Sequence, residues 1–291
     1  LNPETVPERI QKILARAGIG SRRQIENWIR AGRISINDRP ATLGDRITEN
    51  DLIRLDGDRI NLRLDSSLRL RVIAYHKPEG KICSRSDPEG RPTIFEDLPR
   101  LKQGRWVLIG RLDINSSGLL LLTTDGELAN KLMHPSGGIE REYAVRVRGE
   151  VDNQVLDRLT DGVMLSDGMA SFDSIRDAGG KGANHWYHVV LREGRNREVR
   201  RLWESQGVTV SRLIRVRFGP VILARDLRPG RSTDLNDVDM KALLTLAGLQ
   251  HKMSASATGI TRHARKKSYA ARSGQKKGRK LSARSRSGNG P

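Results

Sequence analysis

The chain has 291 residues, 53 of them Lys or Arg against 34 Asp or Glu, giving a formal charge of +19. That balance points to a polyanionic partner, while the single cysteine, Cys83, excludes a disulfide framework and a thiolate metal centre. No stretch approaches the ~20 apolar residues that cross a bilayer, and no secretory h-region opens the sequence, so a cytoplasmic protein with no membrane partner, holding one small and one larger domain, is expected.

In chain order, Ile10, Ile13, Leu14 and Ala17 recur at helical spacing until Gly18-Ile19-Gly20 stops the helix. Ser21 and Gln24 form a Ser-x-x-Gln capping box, and Ile25, Trp28 and Ile29 line one face of a second helix that ends at Ala31-Gly32. Short strands over Arg33 to Ile36 and Asp51 to Leu55 complete a small α+β unit, assigned to residues 7–62. Its cations, Arg16, Arg22, Arg23, Arg30 and Arg33, fall mainly on the faces left by the apolar stripes, where a solvated surface is the plain alternative to a binding one.

Asn61 to Leu68 reads as a connector, and a larger domain is assigned to residues 69–250, opening with a strand over Arg69 to Tyr75. Lys77-Pro78-Glu79-Gly80 is a turn. Two apolar segments, Trp106 to Ile109 and Leu119 to Thr124, read as buried strands flanking the glycine-bounded loop Gly110-Arg111-Leu112-Asp113-Ile114-Asn115-Ser116-Ser117-Gly118. Rigid flanking strands would fix Asp113 while the turn leaves it open to a substrate. A helix over Glu127 to Met133, strands over Arg141 to Arg148 and Trp186 to Arg192, a helix over Arg195 to Gln206 and a strand over Val208 to Arg217 follow. The expected class is α+β with a mixed, mostly antiparallel sheet.

From Met240 to Pro291 there is no acidic residue, and residues 251–291 carry 12 Lys or Arg. That composition predicts a disordered basic tail adding salt-dependent affinity for nucleic acid. His185 and His188 fall on opposite faces of a strand and so do not suggest a shared metal; Cys83 is expected to be structural.

Gly20-Ser21-Arg22-Arg23, Gly32-Arg33-Ile34-Ser35-Ile36-Asn37 and Asp51-Leu52-Ile53-Arg54-Leu55 resemble the S-four RNA-binding domain, whose members grip structured RNA with this basic helical surface. Gly110-Arg111-Leu112-Asp113 with Ser117-Gly118-Leu119-Leu120-Leu121-Leu122-Thr123 and Asp125-Gly126 resembles the signature of the RsuA-type pseudouridine synthases. Lys77-Pro78-x-Gly80 matches that family's upstream element, and Glu193-Gly194-Arg195-Asn196-Arg197-Glu198-Val199-Arg200-Arg201 its downstream one.

The resemblance implies isomerisation of a uridine in rRNA, with 23S rRNA favoured over 16S, no cofactor and no metal, by a monomer. It carries over Asp113 as the catalytic aspartate, Arg200 as the guanidinium that holds its oxygens bidentately, and Tyr143 as the tyrosine that stacks on the base. Leu213 becomes the apolar wall opposite and Lys77 a substrate contact, while Arg201, about 100° round the helix from Arg200, is expected to contact phosphate. Arg111 is expected to fill the space the base vacates or to grip a neighbouring phosphate. Without the resemblance, Asp113 reads as a turn-capping Asx residue, Tyr143 and Leu213 as core, and Arg200 as a surface cation. Arg197-Glu198 stands where many family members carry His-Gln, and Ser117 where some carry Cys or Thr. The rival from another class is a noncatalytic RNA-binding protein of ribosome assembly; nothing in the sequence supports a DNA-binding motif.

Overall fold

The computed structural model describes residues 6–48, 50–62, 70–181 and 184–253. Most of the expected connector and the tail from residue 254 lie outside the described residues. The expected tail boundary at 251 needs correction, because Gln250–Met253 form a 3-10 turn that is tied to the larger domain. From that turn the Lys252 ammonium donates to Asp125 at 2.6 Å and to Glu127 at 2.8 Å.

In the N-terminal unit, α1 spans Ile10–Arg16 and α2 spans Arg22–Arg30. The capping box is present: Ser21 Oγ accepts from the Gln24 amide, and Gln24 Oε1 accepts from the Ser21 amide. The inward stripe of the helices, Ile10, Ile13, Leu14, Ile25 and Ile29, packs on Ile34, Ile36, Ile47 and Ile53. Each such burial contributes about 2 kcal/mol. Four short antiparallel strands, in the order Arg39–Pro40, Ile34–Ile36, Ile53–Leu55 and Asp58–Ile60, close the unit.

The larger domain is built on a nine-stranded sheet. Its main strands are β1 (Val72–Lys77), β2 (Val107–Ile109), β3 (Ser117–Thr123), β4 (Arg141–Arg148), β5 (Ser174–Lys181), β6 (Asn184–Leu191), β7 (Thr209–Phe218) and β8 (Ser232–Asp234). They lie in the order β5-β6-β4-β7-β3-β1-β8, with β2 paired to β3. All these pairings are antiparallel except β7 on β3, where Ile214 faces Ser117 and Arg215 faces Gly118.

Helices α3 (Gly126–Met133), α4 (Asn153–Asp161), α5 (Glu198–Glu204) and α6 (Asp237–Leu246) cover the sheet. The run Leu119 to Leu122 is continuously apolar because both faces of β3 are covered. Leu120 and Leu122 join a core with Val155 and Leu159 of α4 and Leu202 and Trp203 of α5. Leu119 and Leu121 join a second core with Leu128 and Leu132 of α3 and Leu243 and Leu244 of α6.

Two of the boundaries that move bear on the site. Strand β3 begins at Ser117, so Gly118 lies inside it; its φ is +106°, and a Cβ there would run into the Arg215 backbone. The helix expected from Arg195 begins at Glu198, because Arg197 takes a left-handed conformation at φ 50°.

Candidate active site

Asp113 sits half-buried on the loop between β2 and β3. The backbone beneath it is held at every step from Leu112 to Ser116. The Leu112 carbonyl accepts from Cys83 Sγ at 3.3 Å, and the Asp113 carbonyl from the Ser116 amide at 3.1 Å. The Ile114 carbonyl accepts from the Gly80 amide at 2.8 Å, and the Asn115 carbonyl from Arg200 Nη2 at 2.8 Å. The Ser116 carbonyl accepts from Lys77 Nζ at 2.8 Å. A buried carbonyl left without a donor costs about 1–3 kcal/mol, so these contacts define one loop conformation. Among the described residues, no group hydrogen-bonds or ion-pairs the Asp113 carboxylate itself. The Asx-cap alternative therefore has no contact to support it.

Arg200 is 5% exposed and comes from α5. The expected bidentate grip on Asp113 is not present: Nη1 donates to the Val210 carbonyl at 2.9 Å and Nη2 to Asn115, two residues beyond the aspartate. Burial pushes the guanidinium below its ordinary range, and the Asp113 carboxylate is among the charges that pull it back. Its Nε is buried without a partner among the described residues.

Lys77 also departs from expectation. It is 0% exposed, and its ammonium donates to the carbonyls of Pro78, Ile114 and Ser116, so it supports the loop from below and presents nothing to a substrate. Burial pushes it down too, again opposed in part by Asp113.

Tyr143 on β4 faces Arg215 on β7, and Val145 faces Leu213. The alternation of strands puts these four residues on one face. Tyr143 is 9% exposed and shares a core with Leu213. Arg215, which sequence reasoning missed, is 2% exposed; its Nε donates to the Leu119 carbonyl at 2.7 Å and its Nη2 is unpartnered among the described residues. The sequence offers no signal that separates it from Arg212 and Arg217 of the same strand.

Arg111 is exposed beside Asp113. Arg201, expected to contact phosphate, makes a two-pronged pair with Asp167 at 2.8 Å. In the N-terminal unit Arg16 bonds Glu8, Arg33 bonds Asp56 and Arg30 bonds Asn27, while Arg22 and Arg23 are exposed. The basic helical surface is thus partly neutralised.

A sequence model of the S4 domain matches residues 8–53, and one described as RNA pseudouridylate synthase matches residues 71–205. The chain is 55% identical over 268 residues to ribosomal large subunit pseudouridine synthase B of Pseudomonas aeruginosa, covering 91% of this chain and 69% of that protein. It is 51% identical over 283 residues to the protein of the same name from Shigella flexneri, covering 97% and 98%. The fold resembles a crystal structure of pseudouridylate synthase with a TM-score of 0.57 at 24% identity, over 81% of this chain and 99% of that one. With an S4 domain preceding the loop that carries Asp113, the chain belongs to the RNA pseudouridylate synthase family.

Proposed function

We propose that this enzyme isomerises a uridine of 23S rRNA to pseudouridine, with Asp113 as the catalytic carboxylate. The observation that carries the assignment is a half-buried carboxylate without a protein partner among the described residues, on a loop whose successive carbonyls are all engaged. Its relatives named ribosomal large subunit pseudouridine synthase B support the large-subunit substrate.

The reaction breaks the N1–C1′ bond, turns the uracil and joins C5 to C1′; the C5 proton leaves and N1 regains one. An ionised aspartate serves this by attacking C1′ or by removing the C2′ proton. Arg200 and Lys77 act through the backbone, holding the loop that carries the carboxylate. Tyr143 and Leu213 offer an apolar face for a flipped base. The protein acts as a monomer in the cytoplasm; among the described residues no helix is long and apolar enough to cross a membrane.

Tritium release from 5-tritiated uridine in free 23S rRNA tests the proposal. Wild type is expected to release tritium, and Asp113→Asn to be at least about 10³-fold slower. No release by wild type would leave only RNA binding, equal release by both would remove Asp113 from the chemistry, and release from 16S rRNA alone would move the substrate to the small subunit.

A further inference from the structure

The N-terminal unit meets the larger domain at a glycine contact. Gly18 lies so close to Gly104 that a Cβ added to it would sit 2.8 Å from the Gly104 carbonyl oxygen. Arg105 adjoins Gly104 in the chain, and Arg22, at the start of α2, follows Gly18 by four residues, so the contact brings both segments to the same junction. A third guanidinium arrives from the segment after Cys83: Arg85 Nη2 donates to the Trp106 carbonyl at 2.5 Å, and its guanidinium stacks 4.3 Å from the Phe95 ring centre.

Among the described residues none of these three arginines has a carboxylate partner. The acids nearby in sequence are engaged elsewhere: Asp87 and Glu89 pair with Arg91, and Asp97 with Lys81. Burial pushes Arg105 below its ordinary range, and the charges of Arg85 and Arg22 push it further. Arg105 is half-buried while Arg22 and Arg85 are exposed, so among the described residues the junction presents unbalanced positive charge that an external anion can offset.

We propose that Arg22, Arg85 and Arg105 form a clamp for one backbone phosphate of the bound RNA, spanning the two domains. The clamp rests on the reading that the substrate is RNA. It lies near the reacting centre, because Cys83 touches the loop at Leu112 and Arg85 is only two residues further, at most about 7 Å of extended chain. A phosphate held there sets the stem gripped by the N-terminal unit in register with the ribose at Asp113.

The test measures affinity of the full chain for free 23S rRNA against salt. Arg105→Gln and the double variant with Arg85→Gln are expected to lower the slope of log K on log salt by about 0.7–0.9, and to raise KM more than they lower kcat. Arg105→Lys should keep the slope, and Arg91→Gln, whose guanidinium is already paired, should match wild type. Without RNA, inorganic phosphate should raise the melting temperature of wild type more than that of Arg105→Gln. A folded double variant with the wild-type slope overturns the clamp while leaving the enzyme reading intact. A wild-type protein that neither binds nor turns over rRNA sinks both.

Discussion

The loop around Asp113 and the outer surface of the N-terminal unit are both rich in cations, and they use them in opposite ways. At the loop, Lys77 and Arg200 are buried and donate to backbone carbonyls. On the N-terminal unit the arginines are at the surface, some paired with carboxylates and some open. A buried cation thus fixes geometry, whereas an exposed one is available to RNA only when no acid neutralises it.

Three substitutions sharpen that contrast. Gly118→Ala should have the largest effect on stability, at least about 3 kcal/mol by urea unfolding, since its Cβ meets the Arg215 backbone and its φ suits glycine. Lys77→Met should follow, costing about 2–3 kcal/mol by leaving carbonyls without a donor, and lowering kcat more than it raises KM. An unchanged kcat would show that the loop holds its shape without the ammonium. Arg33→Ala should leave the urea midpoint close to that of wild type, because its pair with Asp56 is exposed, and should leave RNA affinity within a few-fold of wild type. A large loss of affinity would mean that RNA displaces Asp56 from the arginine.

Much of the fold is legible where periodicity and caps agree. The capping box at Ser21 and the strand Arg141–Arg148 appear where the sequence puts them. Helices α4 and α6 escape the sequence reading although Asp152 and Asn236 cap them, because their apolar stripes are short. At the site, the glycine-bounded loop points to Asp113, but the partners of its backbone do not show. Lys77 reaches Ser116 from 39 residues away and Arg200 reaches Asn115 from 85, and no local pattern encodes such contacts. The same distance hides the clash that fixes Gly118, which reads in sequence as an ordinary turn glycine.

The parallel seam between β3 and β7 joins residues far apart in the chain; Arg215 reaches Leu119 across 96 positions. Pairings of such separation form late, after local hairpins and helices. A nascent polypeptide released residue by residue would complete its N-terminal unit early and still lack the strand that backs Gly118. Synthesis must pass β7 before the loop can take its working shape, so a product truncated ahead of that strand would hold RNA without modifying it.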